Sequence, residues 1–241
     1  MCALLACSVA IASPDEDRLG KAQGYPLAPS AARIHEAPYI VGAFSGMDRI
    51  SPSCELAPAD QPVQLKIAEK EADVRYRFRN HDYTLADYME HQRATAVLIV
   101  QDGVILAEHY GYDRTRDMRM LSNSMAKTLV ALAIGKALED GSLRSLEDRV
   151  DQYVPELAGT LYGGTRIVDL LRMASGAKYV EDYTPTDDRA RFLKTAAEQG
   201  VLAAAAQVNE RADAPGTRFN YAGAQTEVFG ARAASGDAPQ P

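Results

Sequence analysis

Two β-rich apolar runs, Ala94 to Val100 and Val104 to Tyr110, flank Gln101-Asp102-Gly103, and an Asp-Gly pair between such runs predicts an antiparallel hairpin. Just before it, Thr84-Leu85-Ala86-Asp87 places a threonine cap three residues ahead of an acid, which predicts a short helix toward His91. From Ser122 to Asp140 the apolar positions Met125, Leu129, Leu132, Ala133 and Leu138 follow helical spacing, with Gly141 as the stop. That pattern predicts a mostly buried helix. Ser145 to Asp148 caps a further short helix that stops before Pro155, and Thr165 caps the run from Ile167 to Met173. An alanine-rich stretch from about Ala190 to Val208 reads as helical and broken at Gly200.

The flanks differ in kind. Residues 1–12 are apolar, and Ala10-x-Ala12 resembles a signal-peptidase site, while Leu4-Leu5-Ala6-Cys7 resembles a bacterial lipobox. Both predict export, periplasmic or through a lipid anchor at Cys7. Neither is preceded by a positive segment, which keeps an ordinary frayed terminus and a cytoplasmic location open. The run is too short to span a bilayer, and no other stretch qualifies. Residues 13–65, rich in Pro, Ala and acids, read as a loosely packed N-terminal extension. Residues 231–241 contain no large apolar side chain and read as a disordered tail. No internal repeat is evident.

Composition narrows the functions. The chain has 241 residues, 46% of them hydrophobic and 24% charged, which suits a globular domain with a substantial core. A net charge of -7 without a Lys/Arg cluster argues against nucleic acid or an anionic membrane as partner. The three cysteines form no metal-ligand spacing, and His35, His81, His91 and His109 lack the pairing of a zinc helix, so no metal and no cofactor are expected. A Ser/His/Asp triad has no motif behind it.

The chemistry concentrates at Ser124-Met125-Ala126-Lys127. A serine in the first helical turn lies near the positive end of the helix dipole, and a lysine three residues on returns to the same face. A serine hydroxyl becomes a competent nucleophile when a neighbouring base takes its proton, and a lysine in a crowded, partly apolar setting can be that base. The backbone N–H of the serine can face a developing oxyanion. Alone, the motif reads equally as a capping serine followed by an exposed lysine. A second such pair, Ser175 and Lys178, is separated by Gly176, which disfavours a continuous helical turn, and is read as a loop.

The motif is followed about a hundred residues later by Pro215-Gly-Thr-Arg-Phe-Asn-Tyr221-Ala-Gly223. A Pro-Gly turn leading into Arg-Phe-x-Tyr-Ala resembles the second catalytic element, Tyr-x-Asn, of the penicillin-recognising serine hydrolases. With Tyr153 to Leu157, Thr165 to Gly176 and Glu181 to Tyr183, the stretch over roughly 75–230 resembles the class C β-lactamase-like subgroup that includes esterases and 6-aminohexanoate-oligomer hydrolases. The resemblance implies a β-lactamase/transpeptidase-like α+β fold, an antiparallel sheet flanked by helices with a helical subdomain, occupying 66–230. It also implies that Ser124 is the nucleophile of an acyl-enzyme, with Lys127 as base and Tyr221 beside them, acting on a small ester or amide. Tyr221 could otherwise be a core aromatic. The asparagine position of the family is Gly223 here, which favours an esterase or amidase over a true β-lactamase. Glu181 and Asp182 could line the mouth and take a cationic substrate group, or be solvated loop acids.

The family's third element, a Lys-Thr-Gly-like or His-x-Gly-like strand, would follow the tyrosine, and the chain ends twenty residues after Tyr221. On this reading the chain is C-terminally truncated, the sheet is incomplete, and the hairpin keeps an exposed apolar face. A non-catalytic remnant or binding module of the same fold is the competing expectation.

Overall fold

A computed structural model of the chain describes residues 15–234. The expected signal or lipobox segment, Cys7 included, lies outside the described residues, as do the last seven positions. Both helices and sheets are present, and contacts divide the chain between Leu121 and Ser122 into two compact units. This division falls inside the segment that the sequence assigned to one domain.

Unit 1 carries the strands. The hairpin forms as its turn chemistry dictates: β4 (Ala96–Gln101) pairs antiparallel with β5 (Val104–Tyr110), and Asp102 and Gly103 take φ of 51° and 76°, the left-handed pair of a tight hairpin turn. The register shifts between Ile99 and Val100. The two-residue β1 (Lys66–Ile67) joins β5 in parallel, giving the order β1-β5-β4. Ile105 and Ala107 point to the buried face, whereas Leu98 and Val100 are exposed. A second hairpin, β2 (Arg75–Phe78) with β3 (His81–Thr84), runs into α2 (Leu85–Gln92). That helix starts on the complete capping box expected: the Thr84 hydroxyl accepts from the Asp87 N–H, and the Asp87 carboxylate accepts from the Thr84 N–H at 2.7 Å.

The N-terminal extension is not loose throughout. Between residues 15 and 50 it forms 3₁₀ turns and α1 (Ile40–Phe44), and Tyr25 and Val41 pack with Tyr112. Gly42 makes this possible, because a Cβ there would sit 2.2 Å from the Tyr25 carbonyl oxygen. The stretch from Pro52 to Ile67 is exposed throughout, as an extension would be.

Unit 2 is helical. α3 (Ala126–Glu139) follows a 3₁₀ turn, Asn123–Met125. The expectation of a mostly buried helix is corrected: no residue of α3 is buried. Its apolar side chains fall on two stripes. Ile134, Ala137 and Leu138 pack on the core of unit 2, while Met125, Leu129 and Leu132 are 71%, 67% and 65% exposed. Residues 145–157 form turns and two 3₁₀ segments instead of a continuous short helix, with the Ser145 hydroxyl accepting from the Glu147 N–H. α4 (Ile167–Leu171) starts without a side-chain cap. Thr165 is buried instead, its hydroxyl donating to the Leu161 carbonyl at 2.7 Å and accepting from Arg211 at 2.9 Å. α5 (Asp188–Gln199) and α6 (Val201–Gln207) are broken at Gly200, φ 93°, as its sequence suggests. α7 (Ala224–Ala234) continues four residues into the expected disordered tail. Four residues that carry no large apolar group can still extend a helix already started by a packed segment that includes the fully buried Val228. One core joins Leu157, Tyr162, Leu170, Ala222 and Val228.

Candidate active site

The Ser124 hydroxyl sits in the 3₁₀ turn that feeds α3, directly after Asn123, whose φ of 45° is left-handed. Asparagine is one of the few side chains that tolerates this conformation. Lys127, in the first turn of α3, brings Nζ to 3.3 Å from Ser124 Oγ, donating toward it. Tyr221, 97 residues away in sequence, donates its hydroxyl to the same oxygen at 2.9 Å. The Lys127 ammonium also lies 5.6 Å from the Tyr221 ring centroid, a cation–π distance. Ser124, Lys127 and Tyr221 therefore converge on one oxygen. Ser175 and Lys178 do not: the Ser175 hydroxyl accepts from the Ala177 N–H, and Lys178 pairs with Glu210.

Tyr221 is positioned by its neighbours. The Asn220 side-chain amide donates to the carbonyls of Ala177 and Tyr179 at 3.1 and 3.0 Å, and its backbone N–H donates to Met173. Buried Gln225 accepts from the Ser175 N–H and donates to the Asn220 carbonyl. Arg211 caps the carbonyls of Ser175 and Leu161. These bonds tie segment 211–225 to segment 161–181. Asn220, Gln225 and Arg211 escaped the sequence reading, because a polar side chain that serves distant carbonyls leaves no local pattern. The position of Asn220 beside the tyrosine is the one available signal.

The structure places Glu181 and Asp182 differently. The Glu181 side chain is 5% exposed, its carboxylate accepts from the Gly223 N–H at 2.7 Å, and Arg189 Nε lies 3.8 Å away. It clamps the backbone two residues after Tyr221 and is not open to a cationic group. A Cβ at Gly223 would meet Glu181 Oε2 at 3.4 Å, an ordinary van der Waals contact, so the clamp rests on the backbone N–H rather than on the lack of a side chain. Asp182 is exposed and closes a turn on Thr184, accepting from its N–H and hydroxyl.

The same loop is anchored by Asp187, which caps α5. Its carboxylate accepts from the N–H groups of Ala190, Tyr183 and Asp182, and these bonds, that from Ala190 foremost, hold its pKa below the ordinary value. A carboxylate with a depressed pKa stabilises the fold above its unfolded pKa, about 3.9, and that stabilisation disappears as the pH falls through the folded value. Asp187→Asn is therefore expected to flatten the loss of stability on acidification below about pH 4. Urea midpoints measured from pH 2 to 5 check this, and parallel profiles for the two proteins would refute it.

Residues 82–239 match the beta-lactamase family. The chain belongs to that family. It is 28% identical over 162 residues to a 6-aminohexanoate-dimer hydrolase from Paenarthrobacter ureafaciens, a match covering 64% of this chain and 38% of that protein. A solved structure from Bacillus anthracis, described as a candidate 6-aminohexanoate-dimer hydrolase, superposes with a TM-score of 0.65 at 18% identity, covering 84% of this chain and 57% of that one. The fold is thus β-lactamase/transpeptidase-like. The chain spans under two-fifths of the curated relative's length and somewhat over half of the solved structure's. Among the described residues no group of three or more His, Cys, Asp or Glu is placed to hold a metal ion, and no helix is long and apolar enough to cross a membrane.

Proposed function

We propose that this beta-lactamase-family chain is a serine hydrolase that cleaves a small ester or amide through an acyl-enzyme. The observation that carries this reading is the approach of Lys127 Nζ and Tyr221 OH to Ser124 Oγ from two separate segments. A capping serine would satisfy a helix N–H with its hydroxyl, whereas no side-chain cap bond is made at the start of α3.

In the proposed reaction Ser124 Oγ attacks the carbonyl carbon while an uncharged Lys127 Nζ takes the hydroxyl proton. The tetrahedral oxyanion collapses, the carbon–oxygen or carbon–nitrogen bond breaks, and the departing alcohol or amine leaves protonated, the proton passing through Lys127 and the Tyr221 hydroxyl. Water then adds to the Ser124 ester, its proton taken by the same pair, and a carboxylic acid departs as Ser124 Oγ–H is regenerated.

The bond preference follows from Gly223. Where relatives of the lactamase type hold an amide side chain, this chain spends the position on a backbone N–H bonded to Glu181, so no side-chain donor is offered from there to a lactam. A p-nitrophenyl ester is expected to turn over and a chromogenic cephalosporin is not, with Tyr221→Phe about a hundredfold slower on the ester. Turnover of the cephalosporin alone would overturn the reading of Gly223, and an undiminished Tyr221→Phe rate would remove the tyrosine from the mechanism.

A further inference from the structure

The Tyr221 hydroxyl has to stay on Ser124 Oγ although Tyr221 is only half-buried. Asn220 fixes the backbone just ahead of it through its bonds to Met173, Ala177 and Tyr179. Just past it Ala222 is fully buried, and the Gly223 N–H donates to the Glu181 carboxylate at 2.7 Å. The backbone of Tyr221 is therefore held from both sides, and the second hold includes a charge-assisted bond that crosses 42 residues of sequence. The carboxylate end of that bond is itself fixed. The Val180 N–H donates to the Asp188 carboxylate at 2.7 Å, the Asp188 N–H donates back to the Val180 carbonyl at 3.0 Å, and the Asp182 N–H donates to Asp187 at 3.1 Å. Both neighbours of Glu181 are thus pinned to the start of α5.

Packing does not account for a charge in this place. The Glu181 side chain is 5% exposed, and an apolar side chain of similar volume fills such a space at least as well as a carboxylate withdrawn from water. Arg189, whose Nε lies 3.8 Å from Glu181 Oε1, is 37% exposed and also stands over the Tyr183 ring at 5.0 Å, so it stays solvated and engaged without the pair. What the carboxylate supplies is a fixed acceptor for the chain that follows Tyr221. We infer that Glu181 is a positioning residue for the proposed reaction: through the Gly223 N–H it keeps the Tyr221 hydroxyl within proton-transfer distance of Ser124 Oγ. The inference rests on the reading of Ser124, Lys127 and Tyr221 as the reacting groups. Glu181 is closed off from substrate, so its loss falls on kcat and leaves KM in place.

A double-mutant cycle on the full chain tests this, with kcat and KM measured on p-nitrophenyl acetate. Glu181→Met, which keeps the volume and removes the acceptor, is expected to lower kcat by about tenfold or more with KM unchanged, since a small misplacement of a reacting group is costly. In a Tyr221→Phe background the same change should cost less than about twofold, because the hydroxyl it positions is already gone. Glu181→Gln, whose amide oxygen can still accept from the Gly223 N–H, should stay within about threefold of the native kcat. A native kcat in Glu181→Met, an equal loss in both backgrounds, or a loss as large in Glu181→Gln would overturn the inference while leaving the proposed reaction standing. A native rate in Tyr221→Phe would instead remove the tyrosine from the reaction and the inference with it. If Glu181→Met does not fold, Glu181→Ala takes its place in the cycle; failure of both to fold would assign the carboxylate to the fold and overturn the inference as well.

Discussion

Ser124→Ala and Lys127→Ala should each lower hydrolysis of an activated ester by about a thousandfold or more, and the double variant should lose little beyond either single one. In the proposed mechanism the two side chains act as one unit: Oγ without a base attacks poorly, and a base without Oγ has nothing to activate. The 3.3 Å separation of Nζ and Oγ is the distance over which the proton would pass. Initial rates with a p-nitrophenyl ester give the comparison, and circular dichroism shows whether each variant is folded. Independent, multiplicative losses would mean that the two residues do not work together.

The second large effect concerns stability. Leu157 is fully buried in the core that also contains Ala222 and Val228, which follow Tyr221 in the chain. Leu157→Ala removes three carbons from a packed interior and leaves a cavity, a change that costs about 2–5 kcal/mol. Urea unfolding is expected to show a loss of that size, and a loss below about 1 kcal/mol would mean that the site collapses to fill the space. Turnover per folded molecule should be little changed, because none of the three converging groups belongs to the hydrophobic cluster around Leu157.

What the sequence made legible was local. The Asp102-Gly103 turn, the Thr84–Asp87 capping box and the break at Gly200 each rest on residues within a few positions of one another, and each forms as expected. The family motif was legible too, because Ser124 and Lys127 are one helical turn apart and Tyr221 follows a recognisable Pro-Gly turn. What failed depended on distant partners. Thr165 has the sequence of a cap and the environment of a buried strut, since Arg211 and the Leu161 carbonyl use its hydroxyl. Glu181 looks like a solvated loop acid until the Gly223 N–H, 42 residues away, is found on its carboxylate. The periodicity of α3 gave the helix but not its burial, because helical spacing says which residues share a face and not what covers it.

The central claim is that Ser124 is an activated nucleophile, and the intact mass of the chain after exposure to a fluorophosphonate tests it most directly. The account predicts a single covalent adduct on the native chain and none on Ser124→Ala. A folded native chain that remains unmodified, or an adduct that persists in Ser124→Ala, would contradict it.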